Sequence, residues 1–110
     1  MKICVCAEGP TIQSSISPVF GRCAYFLIFN GADQTPQVIE NSARDGAHGT
    51  GSGAAQRIIA QDVNILICNP PGPKAMQILV DTDIQIKHTQ GKTVEEALHL
   101  YQQGKLQIIK

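Results

Sequence analysis

A mixed α/β sheet packed against helices is the fold that this 110-residue sequence predicts. Two short, largely apolar runs, at residues 3–7 and 63–68, have the length and β-branched content of buried strands. Between them, two strand-like runs flank Asn30-Gly31, the pattern of a hairpin. From residue 54 onward, apolar residues at helical spacing alternate with further short apolar runs, as in strand–helix–strand units.

Each element follows in order. Ile3 to Ala7 forms a central strand stopped by Glu8-Gly9-Pro10. Residues 8–22, rich in Ser, Pro and Gly, form a long loop with one helical turn at most, and loops of that length are often functional. Cys23 to Phe29 is the second strand and Pro36 to Glu40 the third, with Pro36 suited to a first or edge position. Gly46-Ala47-His48-Gly49-Thr50-Gly51-Ser52-Gly53 is a glycine-rich loop, followed by a helix that buries Ala54, Ala55, Ile58 and Ile59. Val63 to Cys68 is the fourth strand. Pro73 opens a second helix, which buries Ala75, Met76, Leu79 and Val80. Ile84 to His88 is the fifth strand. Thr93 and Glu96 form a capping box for a third helix, with Val94, Ala97, Leu98 and Tyr101 as its apolar stripe and Gly104 as its stop. Lys105 to Lys110 is a tail with some strand character.

Composition narrows the function. Hydrophobic residues make up 43% of the chain, enough for a core, and the length suits one domain spanning residues 1–110. Nine Lys and Arg balance nine Asp and Glu, and no basic stripe or aromatic platform argues for nucleic acid. No apolar run reaches the roughly 20 residues of a membrane span, and the start reads as a strand rather than a signal peptide. A cytoplasmic protein with reduced cysteines is the expectation.

With the first, third, fourth and fifth strands parallel and the second antiparallel, the loops 8–22, 43–53, 69–74 and 88–92 meet at one sheet edge. Open α/β sheets bind ligands there. Cys6, Cys23 and Cys68 converge on that edge with His48, and thiolate and imidazole suit soft metals or iron–sulfur centres. The spacing contains no C-x-x-C, so these cysteines are metal ligands or buried core; Cys4, on the same face as Cys6, reads as core. His88 ends a strand at this edge, whereas His99 reads as a surface residue paired with Glu95. Gly49, Gly51, Ser52 and Gly53 offer backbone N–H groups to an anion, unless the stretch is only a flexible helix lead-in. It is neither a Walker A loop nor a dinucleotide fingerprint. Gly72 and Lys74 open the second helix at the same edge, where the Lys74 cation opposes the helix dipole unless an anion intervenes. Arg22 stands beside the proposed pocket. No cluster of carboxylates supports metal-dependent hydrolysis, and no nucleophile elbow is present, so a non-enzymatic role is expected.

The residues Ser17-Pro18-Val19-Phe20-Gly21-Arg22-Cys23-Ala24-Tyr25-Phe26 resemble the S-x-x-F-G-R-x-x-Y-F segment of the dinitrogenase iron–molybdenum cofactor biosynthesis family. Met1-Lys2-Ile3, Ile39-Glu40-Asn41, His48-Gly49-x-Gly51, Gly72-Pro73-x-Ala75 and Gly91-x-Thr93-Val94-x-Glu96-Ala97 extend the resemblance over nearly the whole chain, in order. It implies a three-layer, ribonuclease H-like fold, with a five-stranded mixed sheet of order 3-2-1-4-5, strand 2 antiparallel, and helices on both faces. It also implies a carrier or chaperone for an iron–sulfur cluster or iron–molybdenum cofactor precursor, working with cofactor-assembly or nitrogenase-like proteins. Many relatives carry a histidine, linked to cofactor binding, immediately before Phe-Gly. Val19 stands there in this chain, so ligation would fall to His48 and the cysteines. The alternative reading is a metal-free anion- or nucleotide-binding regulatory domain.

Overall fold

Strand β1 (Lys2–Ala7) is buried at every position after Lys2, because its unbroken apolar run is covered on both faces. A computed structural model describes residues 1–31, 35–42, 44, 46, 49–89 and 92–110 around it. β2 (Tyr25–Asn30) pairs antiparallel with one side of β1, and β3 (Gln37–Glu40) pairs antiparallel with β2. On the other side β4 (Ile65–Cys68) and β5 (Gln85–His88) follow in parallel.

The sheet has six strands in the order β3-β2-β1-β4-β5-β6, so the expected five-stranded sheet gains one. β6 (Gln107–Ile108) is the tail that carried strand character; it pairs antiparallel with β5 through Lys87–Ile108 and His88–Gln107. The free edge of β5 supplies backbone groups that this tail satisfies.

Three helices cover the two faces. α1 (Thr50–Ala60) and α2 (Pro73–Leu79) pack over Cys4, Cys6, Phe26, Ile28, Leu66 and Ile86. α3 (Val94–Gln102) packs over Ile3, Val5, Leu27, Phe29, Ile65 and Ile67. Alternation along the strands sends successive side chains to the two cores. Fully burying residues such as Phe26 and Phe29 contributes about 1.5–3 kcal/mol each.

Several boundaries differ from the expected ones. α1 begins inside the glycine stretch, at Thr50, because Gly49 takes a left-handed φ of 71° that turns the chain into the helix. Val80, expected on the buried face of α2, is exposed, because it caps a helix that ends at Leu79. β2 starts at Tyr25 rather than Cys23, after a 3-10 turn at Phe20–Arg22. That turn ends the long loop, which is pinned down by hydrogen bonds. Ser17 N–H donates to the Cys6 carbonyl (3.0 Å), while the Val94 and Glu95 amides of α3 donate to Ser14 and Ile12 (2.9 and 2.8 Å).

Candidate functional site

The carboxyl edge of the sheet is built around Gly21. A Cβ on Gly21 would lie 2.5 Å from the amide nitrogen of Gly51 and 2.7 Å from the carbonyl carbon of Thr50. Only glycine lets the 3-10 turn press its backbone onto the first turn of α1. Asn41, buried at the end of β3, holds the turn from the other side. Its side-chain nitrogen donates to the carbonyls of Gly21 (3.3 Å) and Cys23 (2.9 Å) and lies 3.8 Å from the Cys23 sulfur. The same turn projects Arg22 outward, where its guanidinium donates to the Arg44 carbonyl (2.9 Å).

Beside the turn lies an open cleft of about 390 Å³, lined by residues 49–52 from the start of α1 and residues 72–75 from the start of α2. The predicted Gly49, Gly51, Ser52, Gly72 and Lys74 therefore come together. Gly53 is set back, its amide taken by the Gly49 carbonyl (2.8 Å). Helix geometry leaves the first amides of α1 and α2 without intrahelical acceptors, and neither helix has a side-chain cap or an acidic residue in its first turn. The start of α3 differs: Ser14, Ile12 and the Thr93 hydroxyl accept its first amides. The cleft thus presents N–H donors and the Lys74 cation, a set complementary to an anion. A depression of about 440 Å³ on α3 is larger, but it is lined by one helix and carries Glu95 and Glu96, so it gathers none of the strand-end groups.

The four cysteines, Cys4 included, belong to one buried cluster. All four are free thiols with no solvent exposure, inside the core under α1 and α2. The Cys6 thiol is pushed well above the ordinary thiol range, by hydrogen bonding to Cys23 first, then to Cys4 and Cys68, and by burial. A protonated, sealed thiol is a poor ligand or nucleophile. Among the described residues, no group of three or more His, Cys, Asp or Glu could hold a metal ion. His48 lies outside the described residues.

His88 belongs to a structural chain. Asn69 donates through its side-chain nitrogen to the Ser17 carbonyl (2.6 Å), so its oxygen accepts from Nε2 of His88 (3.2 Å). The Ser17 hydroxyl donates in turn to the Val19 carbonyl (2.9 Å), fixing the approach to the 3-10 turn. His99 faces Gln103 (3.0 Å) rather than the expected Glu95. The sequence pattern did not single out Asn41 or Asn69 for the site; an Asn directly after a strand at the ligand-binding edge is the signal each offers.

Residues 1–104 match the family described as dinitrogenase iron-molybdenum cofactor. The chain belongs to this family. Uncharacterized protein MJ0580 of Methanocaldococcus jannaschii is 35% identical over 101 residues, covering 89% of this chain and 86% of the relative. Among solved structures, the apo form of the orange protein from Desulfovibrio gigas superposes with a TM-score of 0.89 at 31% identity, over 97% of this chain and 91% of that one. A NifB candidate from Thermotoga, placed in the DUF35 family, gives 0.84 at 29% identity, over 98% and 92%. The Phe20-Gly21-Arg22 segment that carried the resemblance is the turn pressed onto α1.

Proposed function

We propose that this chain is a non-enzymatic carrier for an anionic metal–sulfur cofactor, an iron–sulfur cluster or iron–molybdenum cofactor precursor, held at the cleft between α1 and α2. One observation carries the reading: two uncapped helix starts and Lys74 share one open cleft of about 390 Å³. That size is within the range of ligand pockets. Each helix start favours a nearby anion by about 0.3–1 kcal/mol, and Lys74 and Arg22 add long-range attraction. Family membership supports a cofactor of this kind. The ribonuclease H-like fold, the cytoplasmic setting and partners in cofactor assembly belong to the same proposal.

Two modes of holding follow. In the first, backbone amides and Lys74 bind the cofactor without a covalent bond. In the second, Cys6, Cys23, Cys68 and His48 ligate it directly, which requires the buried thiols to lose their protons and the core to open. The sealed state of the thiols favours the first.

The test is anaerobic reconstitution with iron and sulfide, alone and with molybdenum, followed by gel filtration and metal and sulfide analysis. Wild-type protein is expected to retain coloured cofactor, Lys74→Glu to lose at least tenfold in retention, and Cys23→Ser to keep it. No retained cofactor, or equal retention by Lys74→Glu, refutes the cleft. Loss in Cys23→Ser alone transfers the site to the thiols. The metal-free regulatory reading rests on the same N–H donors, which suit phosphate equally well. It predicts a thermal shift with phosphates or nucleotides and none with iron–sulfur species.

A further inference from the structure

Asn69 and His88 are two polar side chains at the carboxyl edge that the cleft itself does not use. Asn69 directly follows β4, and only Pro70 and Pro71 separate it from Gly72 at the start of α2. Its side chain donates to the Ser17 carbonyl (2.6 Å), in the loop that ends in the Phe20–Arg22 turn. Asn69 therefore stands at the root of the α2 wall of the cleft and is bonded to the segment that leads to the α1 wall. On that second side, the Ser17 hydroxyl donates to the Val19 carbonyl (2.9 Å), and the same carbonyl accepts the Arg22 amide (3.1 Å) that closes the turn. Gly21 in the turn lies against Thr50 and Gly51, two of the residues that line the cleft.

The bonds of this chain have one possible direction. A carbonyl only accepts, so the Asn69 nitrogen must face Ser17 and its oxygen must face Nε2 of His88 (3.2 Å), which carries the proton. Nδ1 of the same ring lies 3.3 Å from the side-chain amide of Gln107 on β6, so the imidazole is held from both sides. Ser17 and Asn69 are 1% and 7% exposed, and solvent does not stand in for a partner lost there.

We propose that Asn69, oriented by His88, is a positioning residue that sets the spacing between the two walls of the cofactor cleft. The inference rests on the cleft reading of the function. A site fits its ligand only when the elements that carry it are held by side chains that are themselves locked in place. Gly51 and Ala75 bring the walls close at one point, where an added Cβ would lie 3.6 Å from that of Ala75. The Asn69–Ser17 bond ties them at a second point, and two ties fix an angle where one fixes only a distance. Neither Asn69 nor His88 lines the cleft, so both act through the turn and the start of α2.

The test compares His88→Leu, His88→Gln, Asn69→Asp and the core control Ile65→Val in the full chain. Amide resonances of Gly21, Arg22, Gly51 and Gly72 are followed by NMR in cofactor-free protein, and cofactor retention is measured after anaerobic reconstitution with iron and sulfide. His88→Leu removes the donor to Asn69. Asn69→Asp keeps an acceptor for His88 but sets a carboxylate oxygen against the Ser17 carbonyl. Both are expected to shift the four amides and to lower retention about tenfold, the scale of one buried hydrogen bond. His88→Gln, whose side-chain nitrogen takes the place of Nε2, should stay within about twofold of wild type. Ile65→Val lowers stability in the core under α3 and should leave the four amides in place. Unmoved amides in both His88→Leu and Asn69→Asp overturn the proposal, as does a His88→Gln that behaves like His88→Leu or an Ile65→Val that shifts the same amides equally. Asn69→Asp keeps the test decisive if His88→Leu fails to fold. A wild-type protein that retains no cofactor refutes the cleft reading alone, because the amide shifts are read without cofactor.

Discussion

Gly21 and Gly51 face each other across the closest backbone approach of the site, and their substitutions have opposite expected signs. An alanine at Gly21 would drive its Cβ to 2.5 Å from the Gly51 nitrogen, a contact that backbone must relieve by moving. Gly21→Ala is expected to cost about 1–3 kcal/mol, the range for overpacking, read as a lower denaturant midpoint. At Gly51 the added Cβ meets only the Cβ of Ala75, at an ordinary 3.6 Å. Glycine inside a helix costs roughly 0.5–1 kcal/mol relative to alanine, so Gly51→Ala is expected to raise the midpoint. The same methyl group enters the cleft, so the variant should be more stable and yet retain less reconstituted cofactor. Equal retention would detach the cleft from the function. Asn41 acts at this scale too: Asn41→Leu leaves the carbonyls of Gly21 and Cys23 without its hydrogen bonds, at an expected cost of about 1–3 kcal/mol.

At the scale of elements, the helix starts differ in how they are satisfied, and that difference governs their response to pH. α3 is closed by a capping box: Glu96 N–H donates to the Thr93 hydroxyl (3.2 Å), and Thr93 N–H donates to the Glu96 carboxylate (3.0 Å). The backbone hydrogen bond from Thr93, then its side chain, hold the Glu96 carboxyl below its usual range. A depressed carboxylate contributes stability above its unfolded pKa and loses it as pH falls through the folded one. Glu96→Gln is therefore expected to flatten the acid limb of the stability profile while leaving neutral stability nearly unchanged; matching acid limbs in variant and wild type would contradict this. The box was legible in the sequence because capping is local, set by residues three apart. The start of α1 was not: Gly49 takes its left-handed turn in a stretch of many glycines, and nothing local marks which one does so. β6 was legible as strand character but not as a sixth strand, because two residues become a strand only by pairing with the β5 edge.

For the whole molecule, the sheet centre was written in the unbroken apolar runs of β1 and β4, and the shared edge of Gly49, Gly51, Ser52, Gly72 and Lys74 followed from strand direction. Burial depth did not follow, because a cysteine at a strand end reads equally as ligand or core until the covering helices are placed. α1, α2 and the Phe20–Arg22 turn cover all four thiols, which have no solvent exposure. The Cys6 thiol makes the molecule sensitive to alkali. Cys6 is raised by hydrogen bonds from its neighbours and by burial, whereas in the unfolded chain it titrates near pH 8.5. A group whose folded pKa is raised contributes stability that is fully present below the unfolded value and is lost as pH rises through the folded one. Unfolding free energy should therefore hold up to about pH 8.5 and decline above it, as the unfolded state releases protons that the folded state retains. Cys6→Ala lowers stability at neutral pH through the lost packing but should decline less steeply above that point. Denaturant titrations of both proteins across the alkaline range measure the difference. Parallel curves would mean that the Cys6 thiol titrates alike in the folded and unfolded chains, and that the cluster does not hold its proton.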